Sequence, residues 1–142
     1  MAIAERTANT VWEGGLAKGS GNTSLKSGAT GELPVTWASR TERSDGKTSP
    51  EELIAAAHSS CFSMALSNGL AKAGTPATSL DTSAAVDFVP GTGITEIRLT
   101  VKGVVPGMSE EDFVAAAEGA KVGCPVSQAL AAVPIKLEAS LG

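Results

Sequence analysis

The chain has 142 residues, 42 % of them hydrophobic and 18 % charged, with a formal net charge of −4. That length suits one domain, residues 1–142, with enough apolar material for a core. The mildly acidic balance, with no basic stripe and no aromatic residues interleaved with basic ones, argues against a nucleic-acid surface. Aromatic residues make up only 4 % and tyrosine is absent, so the core is expected to be built from Ala, Val, Leu and Ile. The start, Met1-Ala2-Ile3-Ala4-Glu5-Arg6, lacks the apolar centre of a signal peptide. The longest apolar stretch, residues 53–70, is interrupted by His58, four serines and Asn68, and is not expected to span a membrane. These features predict a soluble, cytoplasmic protein. Its two cysteines, Cys61 and Cys124, are then more often chemical or inert than a structural staple.

In chain order, residues 10–13 predict a short strand, followed by the turn material Gly14-Gly15 and Gly19-Ser20-Gly21-Asn22. Residues 23–26 form a weak second strand. After Ser27-Gly28 and Gly31, residues 33–38 form a third, giving an antiparallel meander. Arg40 leaves that strand, and residues 41–48, with Asp45-Gly46, predict a polar loop. A helix then starts at Ser49: Pro50 suits the first helical position, and Glu51 and Glu52 complement the dipole. It is apolar or small on nearly every side, as a buried helix is. Gly74-Thr75-Pro76 ends it. Leu80, Thr82, Ala84, Val86 and Phe88 alternate with polar or small residues, as do Ile97, Leu99 and Val101, which predicts a hairpin. Ser109 opens a helix with Phe113, Ala116, Ala117 and Ala120 on one face. Gly123 stops it, Pro125 starts a short second one, and Ile135, Leu137, Ala139 and Leu141 alternate in a last strand. The order is βββ-α-ββ-α-(short α)-β, an α+β class with mostly antiparallel sheet.

Chemistry rests on three residues. Cys61, in the middle of the central helix, is either an inert core thiol or a nucleophile. The second role needs a cation to offset burial, for which Arg40, Arg43 and His58 are the upstream candidates. Cys124 lies at a helix start, where partial positive charge favours a thiolate. His58, one turn before Cys61, could be a general base, a metal ligand with the two thiols, or a histidine simply held by hydrogen bonds. Glu51 could be no more than a dipole-complementing acid.

Two long segments carry a resemblance. Ser49-Pro-Glu-Glu-Leu-Ile-Ala-Ala-Ala-His-Ser-Ser-Cys61-Phe-Ser-Met-Ala-Leu-Ser67 and Val122-Gly-Cys124-Pro-Val-Ser-Gln-Ala-Leu130 closely resemble the OsmC/Ohr family of thiol peroxidases. His58 and the Gly-Cys-Pro-Val-Ser-Gln form resemble the OsmC branch, that of the osmotically induced protein C. The resemblance implies an OsmC-like fold with sheets wrapped around central helices in an intertwined homodimer. It implies a peroxidase of oxidative and osmotic stress defence, reducing organic hydroperoxides to alcohols without metal or organic cofactor. Cys61 matches the peroxidatic cysteine, which becomes a sulfenic acid, and Cys124 the resolving cysteine, which closes an intramolecular disulfide. An external dithiol resets the pair. Glu51 matches the family's carboxylate and Arg40 the arginine that activates the thiolate. Phe62, Met64 and Leu66 would line a pocket for alkyl peroxides. A non-enzymatic binding or stress-structural protein with inert thiols is the alternative.

One expectation concerns reach. Glu51 and Cys61 are ten residues apart, roughly 15 Å along one straight helix. Either the helix breaks, or Glu51 serves the Cys61 of the other subunit. Ala55-Ala56-Ala57 offers no breaker, so a composite site is expected, with the Arg40–Glu51 pair from one chain and the thiols from the other.

Overall fold

The structure, a computed structural model, describes all 142 residues in two compact units, Met1–Pro50 and Glu51–Gly142. The first unit is a meander of β1 (Ala8–Glu13), β2 (Ser20–Leu25) and β3 (Leu33–Val35), antiparallel and in that order. β2 begins at Ser20, so Gly21 and Asn22, expected in the turn, belong to the strand. Gly21 pairs with Trp12, and a Cβ at Gly21 would lie 2.8 Å from the indole ring. Only a residue without a side chain lets the indole cross there.

The third strand ends sooner than its residues suggested. Trp37 and Ala38 are helical, in α1 (Trp37–Thr41), and Arg40 stands in the last turn of that helix rather than in a loop. A capping box decides this: Thr36 Oγ1 accepts from Ser39 N–H at 3.0 Å and Ser39 Oγ accepts from Thr36 N–H at 3.0 Å. The polar loop then turns at Asp45 and Gly46, both at positive φ, a pairing Asp-Gly adopts readily.

In the second unit, α2 (Pro50–Lys72) is one unbroken helix of 23 residues. It is followed by β4 (Ser79–Val89), β5 (Gly93–Val104), α3 (Glu110–Gly123), α4 (Pro125–Ala129) and β6 (Ile135–Leu141). β4 and β5 form the expected hairpin, with a register shift between Asp87 and Phe88. β6 lies parallel to β5, because α3 and α4 carry the chain back across the sheet. Ala84, Leu99 and Leu137 stand in register, and their faces meet α2 and α3 in one core. The opposite face carries Arg98, which bonds Asp87 at 2.6 Å and Glu96 at 3.0 Å, with Lys136 bonding Glu96 at 2.7 Å.

α2 and α3 meet the sheet through spaced apolar residues. Phe62, Leu66 and Leu70 recur every four residues on α2 and are buried, each burial contributing about 1.5–3 kcal/mol. On α3, Phe113, Ala117 and Ala120, spaced four and three apart, are buried on one face. Gly103 of β5 lies under the Phe113 ring, where a Cβ would come to 2.5 Å. The helix α2 is not covered all round. Ala56, Ala57, Ser60, Met64, Ser67 and Ala71 are exposed, an uncharged stripe that the single chain leaves open. No helix is long and apolar enough to cross a membrane.

Candidate active site

Cys124 owes its place to Pro125. A residue before proline is pushed out of the helical region, and Cys124 has φ −61 and ψ 124. It therefore closes α3, its N–H still bonding Ala120 C=O at 2.8 Å, and at once opens α4 with Pro125 in the first turn. The N–H groups of Val126 and Ser127, the orphan donors of a helix start, are left beside its sulfur. The sulfur makes no regular capping hydrogen bond; the donors act on it as a local positive field.

Opposite stands α2, which presents His58, Cys61 and Phe62 on adjoining positions. The two thiols, 63 residues apart in sequence, are each other's side-chain partner, and both are free rather than bridged. Their exposure differs. Cys124 is 0 % exposed, whereas Cys61 is half-buried.

Electrostatics separate them as well. Burial raises the Cys61 thiol above its ordinary value; the Val126 N–H opposes this, and the neighbouring Cys124 raises it further. Burial also raises Cys124, but the Ser127 N–H, the Cys61 thiol, the Ser127 hydroxyl and the Val126 N–H together outweigh it and hold Cys124 below its ordinary value. The physical cause is the donor count: more N–H and O–H groups face Cys124 than Cys61. The two thiols are thus shifted in opposite directions, Cys61 up and Cys124 down.

His58 is fully buried and its Nε2 lies 2.7 Å from Ser127 Oγ. Desolvation lowers its pKa, so the ring is neutral at physiological pH. Its Nδ1 is buried without a partner. A proton on Nδ1 would be an orphaned buried donor, a rare arrangement that costs about 1–3 kcal/mol. The proton therefore sits on Nε2, which donates to Ser127. With Nε2 committed in this way, His58 does not join the thiols as a metal ligand, and no group of three or more His, Cys, Asp or Glu side chains is arranged to hold a metal ion.

Of the residues expected to share a site, the fold brings Cys61 and Cys124 together. Glu51 is buried in the first turn of α2, on the same unbroken helix as Cys61. Arg40 belongs to the first unit, its guanidinium carbon 5.8 Å from the centre of the Trp37 ring. Phe62 and Leu66 do not line a pocket; they are core residues at 0 % and 1 % exposure, and only Met64 of that trio reaches solvent. The four-residue spacing that aims Phe62 and Leu66 at the sheet turns Met64 away from it. Ser127 was not singled out in the sequence. Its signal was the spacing, since the third residue of a helix faces the side chain at the N-cap.

A half-buried thiol and a fully buried one, acting directly on each other, are what the centre of a thiol–disulfide redox protein needs. The chain belongs to the OsmC family: the family model described as OsmC-like protein matches residues 43–138. The chain is 45 % identical over 124 residues, 85 % of its length, to Peroxiredoxin OsmC of Escherichia coli strain K12, covering 86 % of that protein. The same figures hold for Peroxiredoxin OsmC of Shigella flexneri. Among solved structures, it is similar to an organic hydroperoxide resistance protein OsmC from Legionella pneumophila, with a TM-score of 0.75 at 22 % identity over 99 % of each chain. It is also similar to an organic hydroperoxide resistance protein from Elizabethkingia anophelis, with a TM-score of 0.74 at 24 % identity, over 99 % of this chain and 100 % of the other. The α+β fold is thus the OsmC-like one.

Proposed function

We propose that the protein reduces organic hydroperoxides to alcohols, with Cys61 as the attacking thiol and Cys124 as the resolving one. The chain is a thiol-dependent peroxidase of the OsmC family, which its 45 % identity to a peroxiredoxin supports. The observation that carries the division of labour is accessibility: Cys61 is half-buried beside a fully buried Cys124, so a peroxide meets Cys61 first. The reading with inert thiols is not favoured, since inert thiols need no partner and no helix-start donors.

The Cys61 thiol loses its proton to solvent, and the thiolate attacks the distal peroxide oxygen. The O–O bond breaks, Cys61 becomes a sulfenic acid, and the departing alkoxide takes the Cys124 proton and leaves as the alcohol. Cys124, now a thiolate, attacks Cys61 Sγ; the S–O bond breaks, the disulfide forms, and the departing hydroxide takes a proton from solvent and leaves as water. An external dithiol then returns two electrons by exchange. Burial raises the Cys61 thiol, so a cation beside Cys61 is required. Arg40 is assigned that role.

Glu51 acts on the Cys61 of a second copy in this reading. The unbroken α2 supports it, because nothing bends the helix to bring Glu51 back to its own thiol. The exposed small-residue stripe of α2 supports it too, as a surface on which two such helices pack closely about a two-fold axis. Each site is then composite, in a cytoplasmic homodimer that serves stress defence. Counting free thiols before and after one equivalent of cumene hydroperoxide tests the reading. Loss of two thiols per chain without intermolecular crosslinks supports it; unchanged thiols refute it.

A further inference from the structure

His58 has no part in the chemistry above, yet it is fully buried and bonded across the site. Its Nε2 is 2.7 Å from Ser127 Oγ, and Ser127 is the third residue of the helix that Cys124 opens, the position whose side chain faces the N-cap. A hydroxyl has one hydrogen to give and two lone pairs with which to accept. With the imidazole proton on Nε2, Ser127 accepts from His58 and its own hydrogen is free to point at Cys124. Ser127 is itself 5 % exposed, so water does not compete for either bond.

We propose that His58 is a positioning residue for the resolving thiol, orienting the Ser127 hydroxyl so that it donates to Cys124 Sγ and stabilises the thiolate that attacks the Cys61 sulfenic acid. This rests on the assignment of Cys124 as the resolving cysteine. The arrangement speeds closure of the disulfide and so limits the time during which a second peroxide can carry Cys61 to the sulfinic acid. It also makes Cys124 the better leaving group when the external dithiol attacks Cys61, since a lower-pKa thiol leaves faster.

The test compares His58→Leu, His58→Gln and Ser127→Ala. Glutamine places its amide nitrogen near the position of Nε2 and keeps the donor; leucine removes it. In a Cys61→Ser background, which removes the neighbouring thiol that acts on Cys124, the Cys124 thiolate is titrated by its ultraviolet absorbance and by alkylation rate against pH. Loss of one charge-assisted bond is expected to raise its pKa by about one unit. His58→Leu and Ser127→Ala should both show the rise, and His58→Gln should reverse most of it. In the full chain with both cysteines, disulfide closure after a single dose of cumene hydroperoxide should slow by about three- to fourfold. The loss of thiolate is tenfold, partly offset by the greater nucleophilicity of the more basic thiol. Mass spectrometry should find more Cys61 sulfinic acid in His58→Leu than in His58→Gln. An unshifted Cys124 titration in both His58→Leu and Ser127→Ala overturns the proposal. A shift that glutamine does not rescue overturns it as well, since packing alone is then at work. If His58→Leu does not fold, Ser127→Ala, which removes one oxygen, gives the same readout. Should peroxide oxidise neither thiol, the peroxidase reading fails while the titration still decides whether the relay exists.

Discussion

A mixed dimer tests the composite site most directly. Glu51 and Cys61 lie ten residues apart on the unbroken α2, roughly 15 Å along its axis at ~1.5 Å per residue, and about 80° apart around it. An extended glutamate side chain reaches roughly 5 Å from its Cα. Within one chain the carboxylate therefore stops far short of the thiol. Across a two-fold axis, two antiparallel α2 helices put the start of one beside the middle of the other. Cys61→Ser and Glu51→Ala chains, each inactive alone, are to be mixed, dissociated and reassociated, with heterodimers quantified by differently tagged chains. In a heterodimer one site carries both defects and the other carries none. Random reassociation at equal amounts makes half the dimers heterodimers, so about one quarter of the wild-type hydroperoxide reductase activity should return. The assay is peroxide consumption with excess dithiol. If heterodimers form and no activity returns, each site is built within one chain and the geometric argument is wrong.

Other perturbations give distinct outcomes. Cys61→Ser should abolish turnover, and Cys124→Ser should allow one equivalent of peroxide to be reduced before Cys61 accumulates as sulfinic acid, read by intact mass. Arg40→Ala should raise the Cys61 pKa, and Arg40→Lys should restore it only in part, because a point charge does not replace a planar fork that can hold a thiolate and a carboxylate together; an unchanged titration in Arg40→Ala removes Arg40 from the site. His58 binds its proton less readily in the folded chain than in the unfolded one, whose imidazole titrates at about 6.5. Its neutral form therefore costs nothing above that pH, and stability should fall as pH drops through and below it; urea midpoints at pH 7.5 and 5 should differ less in His58→Gln than in wild type. Gly103→Ala would drive a Cβ to 2.5 Å from the Phe113 ring; overpacking of this kind costs about 1–3 kcal/mol and should lower Tm by several degrees, whereas an unchanged Tm would mean that α3 yields freely.

Local signals determined the second unit's elements. Alternation in β4, β5 and β6, the apolar face of α3 and the small, apolar run of α2 behind its proline and two acids are such signals, and proline and glycine mark their ends. The two cysteine segments likewise carried the family. Elsewhere local signals competed. Trp37 and Ala38 continue a strand by composition, yet the Thr36–Ser39 capping box makes them helical and brings Arg40 into α1. That pattern was present, but an aromatic residue favours a strand by propensity and obscured it. Other features were absent from any local window. The parallel pairing of β6 with β5 depends on where α3 and α4 return the chain. The assignment of Phe62 and Leu66 to the core, and Met64 to the surface, depends on which face of α2 meets the sheet. The meeting of Cys61 with Cys124, and of His58 with Ser127, joins residues more than sixty positions apart. Sequence determines which groups can ionise, donate or accept; it is the packing of α2 against the start of α4 that decides which sulfur faces the donors.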